Sequence, residues 1–116
     1  NIGSQYGLVA PNLNLYESPK DSSPLHYGVS KAGLSHLSKE MAVRLAKKNI
    51  RVNCVAYGGV EGRVNEGFKK RYSLLTPLGR MLQDKDLFGP INMLLSEESS
   101  GITGHTLVVD GGWTIW

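Results

Sequence analysis

The sequence predicts an α/β fold, helices packed on a parallel sheet, and three observations carry that prediction. Short apolar segments alternate with longer segments of helical period, the order a parallel sheet requires. Residues 51–57 carry Val52 and Val55 and run into Gly58-Gly59, as a buried parallel strand ending in a glycine turn does. Thr106–Val109 repeats this pattern and closes in Asp110-Gly111-Gly112. Only these two strands and one strand end are visible, fewer than a complete doubly wound sheet needs.

Each element has its own signal. Asn1-Ile2-Gly3-Ser4 reads as the end of a strand already under way, with no starting methionine, so a longer parent chain is expected. Residues 5–23 contain Pro11, Pro19, Asn12, Asn14 and Ser18 and are predicted as a loop. A helix is predicted to open at Pro24. Ser23 serves there as N-cap, and the proline takes the first helical position, where its missing donor costs nothing. Val29, Ala32, Leu34, Leu37, Met41 and Leu45 give this helix an apolar stripe. Lys47 and Lys48 suit its C-terminal end, and Asn49 can take the left-handed turn that stops it. After the strand at 51–57 come a helix at 63–72, a turn at Thr76-Pro77-Leu78-Gly79, a helix at 84–95 and the last strand. Cys54 alternates with Val52 and Ala56 and reads as packing, while Trp113 and Trp116 are expected to be buried or in a subunit contact.

Composition narrows the function classes. A length of 116 residues suits one modest domain, and 41% apolar with 20% charged content excludes disordered and collagen-like chains. No apolar run approaches the roughly 20 residues of a membrane helix, and no leader-like segment opens the chain. No membrane association is therefore expected. The single cysteine excludes an internal disulfide and suits a reducing compartment, so a cytoplasmic location is expected. The net charge of +3 is scattered, and Lys69-Lys70-Arg71 reads as solvated surface rather than a nucleic-acid patch. His36 and His105 have no companions at metal-ligand spacing, and His26 reads as a helix-surface residue, so no metal site is expected.

The chemistry is concentrated in Tyr27-Gly28-Val29-Ser30-Lys31. Tyr27 and Lys31 are four apart, hence neighbours on one helix face. A phenol exchanges protons near neutral pH only where something favours its anion. An ammonium about 5 Å away, at an effective dielectric near 20, contributes roughly 3 kcal/mol toward that. Taken alone, the pair equally describes a tyrosine and a lysine on a solvated helix surface.

Its neighbours settle the reading. Asn1-Ile2-Gly3-Ser4 and Gly7 precede it; Ile50-Arg51-Val52-Asn53, Gly58-Gly59-Val60, Pro77-Leu78-Gly79-Arg80, Ile102-Thr103-Gly104 and Val109-Asp110-Gly111-Gly112 follow. In this order and spacing, the blocks resemble the C-terminal half of the short-chain dehydrogenase/reductase family over essentially the whole chain. The resemblance implies the C-terminal portion of a Rossmann-like, doubly wound parallel sheet in three αβα layers. Residues 1–116 would form one half of a single domain, with the dinucleotide-binding half outside them. It implies hydride transfer between NAD or NADP and an alcohol or carbonyl of a small molecule, in a homo-oligomer, dimer or tetramer. Tyr27 corresponds to the acid/base. Lys31 corresponds to the lysine that favours the phenolate and holds the nicotinamide ribose, and Ser4 to the serine that binds the substrate oxygen. Tyr57, Gly58 and Val60 fall at the cofactor wall, Val60 gripping the carboxamide through its backbone, and Asn53 is structural.

Departures from the family pattern are visible. Ser4 and Tyr27 stand 23 positions apart, wider than usual, so residues 12–23 form an added loop. That loop either overhangs the site and recognises a larger substrate or is a neutral surface insertion. Tyr57 replaces a usual proline, and Gly62 falls where a cofactor-contacting threonine is common. The stretch from Asn1 to Pro11, with Leu15-Tyr16-Glu17, is similar to a bacterial subgroup linked to flagellin modification and surface-sugar biosynthesis, which implies a sugar or sugar nucleotide as substrate. Two alternatives stay open: an extended-type nucleotide-sugar epimerase or dehydratase, and an inactive assembly module.

Overall fold

Parallel strands cannot be joined by tight turns, so each connection in this chain is a helical crossover. A computed structural model describes residues 1–116. Strands β1 (Ile2–Ser4), β2 (Cys54–Tyr57) and β3 (Thr106–Val109) form one parallel sheet in the order β1-β2-β3. Helix α1 (Leu25–Leu45) links the first two strands; α2 (Glu66–Leu74) and α3 (Lys85–Leu95) lie between the second and third. The expected α/β architecture is what forms. Ser4 pairs with Tyr57 and Tyr57 with Val109, so these three end their strands in one row. That row is the carboxyl edge, where open α/β sheets bind ligands. No helix is long and apolar enough to cross a membrane.

Several boundaries differ from the sequence reading. Pro24, not Ser23, occupies the cap of α1, with extended backbone, and Leu25 is its first helical residue. Asn49 does take the left-handed conformation, at φ 57°. The central strand begins at Cys54 instead of residue 51, because the preceding residues are used as tethers. The Arg51 guanidinium donates to the carbonyls of Leu94, Ser96 and Ile102, satisfying the C-terminal end of α3. Asn53 bridges the Ile102 carbonyl and the His105 N–H, the structural role expected of it. Helix α2 starts later than residue 63, because Asn65 caps it by accepting from Phe68 N–H at 2.8 Å.

The largest correction concerns α1. Its apolar stripe is only partly covered: Val29 is 65% and Leu37 49% exposed, while Leu34, Met41 and Leu45 are half-buried. The buried face is instead Ser35, Ser38 and Ala42. Ser38 Oγ donates to Leu34 O and accepts from the Asn1 amide, while Ser35 lies against the fully buried Cys54. Small side chains allow close approach; a stripe of Leu and Met would hold the helix farther off.

The core has two clusters. Val55, Tyr57, Leu82 and Leu94 fill the space between the sheet and α3. Leu15, Tyr72, Met81 and Trp113 form the other, joining the long loop to α2 and the C-terminal segment. Residues 5–23 are largely the predicted loop, but tightened by three single 3₁₀ turns at Gln5–Gly7, Leu13–Leu15 and Pro19–Asp21. Trp113 is buried and Trp116 is 77% exposed.

Candidate active site

A cavity of about 800 Å³ opens over the carboxyl edge of the sheet, and Ser4, Tyr27, Lys31, Tyr57, Gly58 and Val60 all line it. These six come from three stretches separated in sequence. Close approach of the first two depends on Gly7, where a Cβ would lie 2.7 Å from the Lys31 carbonyl carbon. Lacking one, the turn after β1 lies directly on α1, so Ser4 and the Tyr27–Lys31 face share one wall.

Lys31 Nζ donates to Ile2 O at 2.9 Å and lies 5.7 Å from the centroid of the Tyr27 ring. That bond uses one of three ammonium hydrogens and leaves two. Ser4 Oγ accepts from Tyr6 N–H at 3.2 Å, and its own hydrogen has no acceptor within the chain.

All five tyrosines of the chain line this cavity, and their hydroxyls are not equivalent. Tyr57 donates to Leu87 O, and Tyr72 to Gln5 Oε1 at 2.9 Å. Tyr6 and Tyr16 bond to each other at 3.2 Å. Burial pushes the phenols of Tyr57 and Tyr72 above their ordinary value. For Tyr6, burial and then the Tyr16 hydrogen bond act in the same direction. Those groups are held protonated. Only the Tyr27 hydroxyl has no partner within the chain, and its side chain is 37% exposed at the cavity rim.

The added loop is docked rather than free. Leu15 is fully buried, its carbonyl accepts from Arg71 Nε at 2.8 Å, and Tyr16 reaches Tyr6 as above. A second cavity of about 450 Å³ lies beneath this loop, sharing Tyr16 and Phe68 with the first and lined further by Glu17, Asp21, Arg63 and Arg71. The basic cluster at residues 69–71 is partly consumed by pairing: Lys69 with Glu61 at 2.8 Å and Arg71 with Glu17 at 3.7 Å.

Sequence reasoning missed Gln5 and Tyr72, which are 2% and 1% exposed and stand behind the Gly58-Gly59 turn. The Phe68–Tyr72 spacing signals only a packed helix face, and no local pattern links it to Gln5. His26 is exposed on α1, as expected for a surface residue.

Comparison with known proteins gives the family. A family model described as enoyl-(acyl carrier protein) reductase matches residues 17–114, and the chain belongs to the short-chain dehydrogenase/reductase family. It is 41% identical over 113 residues to post-translational flagellin modification protein A of Campylobacter coli, covering 97% of this chain and 44% of that protein. This agrees with the resemblance of the opening stretch to the flagellin-modification subgroup. In structure it is similar to a short-chain dehydrogenase from Leptospira borgpetersenii with bound NAD+, with a TM-score of 0.92 and 38% identity over 98% of this chain and 43% of the other. It is also similar to a gluconate 5-dehydrogenase from Burkholderia cenocepacia in complex with NADP and tartrate, with a TM-score of 0.86 and 28% identity over 100% of this chain and 44% of the other. These likenesses assign the three-stranded sheet to the Rossmann-like architecture. The chain spans less than half the length of each of these three proteins.

Proposed function

We propose that this chain supplies the proton-handling half of an NAD(P)-dependent oxidoreductase acting on an alcohol or carbonyl of a small polar molecule. The dinucleotide-binding half lies outside residues 1–116 in this reading. One observation carries it: among five tyrosine hydroxyls at one cavity, the unengaged one belongs to Tyr27, beside the Lys31 ammonium.

The residues fit a nicotinamide. In the isolated bridge between Val60 and Leu82, the paired groups are Gly59 C=O and Glu61 N–H, so the N–H and C=O of Val60 have no partner in the chain. Both can hold a carboxamide, with Tyr57 and Gly58 walling the same side. Lys31 can give its two remaining hydrogens to ribose hydroxyls. Structural relatives hold NAD+ or NADP, and the proposal takes either. When bound, the nicotinamide gives or accepts the hydride. Everything else falls to this chain. Ser4 donates its free hydroxyl hydrogen to the substrate oxygen, and Tyr27 delivers or removes the proton at that oxygen.

The second cavity favours a neutral polyhydroxyl group, such as a sugar derivative, at the far end of the substrate. Its two carboxylates can accept from hydroxyls and its two guanidiniums can donate, with formal charges that cancel. Exposed Leu25, Val29 and Val43 on α1 fit a contact between copies in a homo-oligomer.

Tyr27→Phe in the intact protein should lower turnover by roughly 10²- to 10⁴-fold while leaving NAD(P)H affinity nearly unchanged. Steady-state rates and fluorescence titration read the two effects, and undiminished turnover would overturn the assignment. Net oxidation of an alcohol or net reduction of a carbonyl, with matching turnover of the dinucleotide, is the expected reaction, whereas cofactor-neutral isomerisation would point to an epimerase.

A further inference from the structure

We infer that Tyr72 is a positioning residue, whose hydroxyl fixes the Gly59 peptide and thereby aims the Val60 backbone groups into the cavity. The inference rests on the reading above, in which Val60 faces the nicotinamide. Gly59 N–H donates to Tyr72 Oη at 2.7 Å, and Tyr72 O–H donates to Gln5 Oε1 at 2.9 Å. The phenol's single hydrogen goes to the Gln5 carbonyl oxygen, which leaves its own oxygen to accept from Gly59 N–H. The other end of the same residue is held too, because Gly59 C=O accepts from Leu82 N–H at 2.9 Å.

The ring itself cannot drift. It stacks on Trp113 with centroids 4.3 Å apart and planes 16° from parallel, and Phe68 lies 6.0 Å away on the same ladder. It also presses on the turn: a Cβ at Gly59 would lie 2.9 Å from Tyr72 ring carbons and from Met81 Cε. Glycine lets the aromatic face meet the backbone there. Gln5 directly follows Ser4, so the chain Ser4–Gln5–Tyr72–Gly59–Val60 ties the substrate-oxygen donor to the carboxamide site. A shift of one side would be transmitted to the other.

The experiment is a double-mutant cycle in the intact protein. Tyr72→Phe removes the hydroxyl and keeps the ring; Gln5→Met removes the acceptor and keeps the volume. Each should raise the Kd for NADH or NADPH, whichever the wild type binds, by about tenfold. The double variant should be little worse than either single one, and kcat at saturating cofactor should fall far less than Kd rises. Titrations run well below each variant's Tm exclude simple unfolding, and Gln5→Met provides the same readout if Tyr72→Phe does not fold. A Kd within twofold of wild type in a folded variant, or fully additive effects, would overturn the inference. Tyr27→Phe, assayed in parallel, separates the two readings: turnover surviving that change sinks the function, whereas turnover lost with unchanged Kd in Tyr72→Phe sinks only the positioning role. A wild type that binds neither dinucleotide overturns both.

Discussion

At Gly7 a Cβ would meet the Lys31 carbonyl carbon at 2.7 Å and the Ala32 nitrogen at 2.8 Å. Both are backbone atoms of α1 and cannot swing aside, so any side chain there must push the helix away from the strand end that carries Ser4. Gly7→Ala should therefore destabilise the fold by about 1–3 kcal/mol, measured as a lower urea midpoint at constant m-value. An unchanged midpoint would mean that the turn and helix can separate without cost. At this scale the sequence was partly legible. Tyr27 and Lys31 could be paired because four positions on a helix is a local relation, whereas Gln5 and Tyr72 are 67 positions apart and only the folded chain joins them.

Elements show a different division. The α3 helix was legible as a helix, but the device holding its first turn was not. Asp86 accepts from both Arg80 guanidinium nitrogens and from Gln83 N–H at 2.8 Å. The Arg80 hydrogen bond first, and the Gln83 N–H second, hold its carboxyl down from 3.8 to about 2. A carboxyl lowered on folding stabilises the native state above its unfolded value and loses that contribution as pH falls through the folded value. The Tm gap between wild type and Asp86→Asn should thus be full above about pH 4 and close as pH falls toward 2. A gap constant across that range would remove the ion pair from the account. In α1 the element was legible and its orientation was not. Periodicity marks Val29 and Leu37 as apolar positions on the helix; it does not report that Ser35, Ser38 and Ala42 pack better where a helix lies close to a strand. Hydrophobicity favoured one face and steric fit the other, and fit prevails at the sheet.

Over the whole molecule, what most distinguishes this chain is how the loop at residues 12–23 joins parts that the strand order leaves separate. The parallel sheet and its helices follow from alternation alone, and with them the ligand-binding edge. Whether the added loop is a surface ornament or part of the body depends on side chains meeting across long separations, which periodicity does not register. Leu15 decides it: fully buried, it shares a cluster with Tyr72 on α2, Met81 before α3 and Trp113 near the C-terminus. Its carbonyl is held by Arg71, and the adjoining Tyr16 ring lies 5.4 Å from Phe68. A neutral insertion would tolerate truncation of any of its side chains. A docked one cannot, because removing the Leu15 side chain leaves a void among rings that stack on one another. Leu15→Ala should cost about 2–5 kcal/mol in denaturant unfolding, whereas Leu13→Ala, on the 56% exposed neighbour, should cost less than about 0.5 kcal/mol. Equal, small effects at both positions would show the loop to be decoration. The predicted contrast would make it part of the cavity wall, stabilised by the same aromatic cluster that holds Tyr72 against the Gly59 turn.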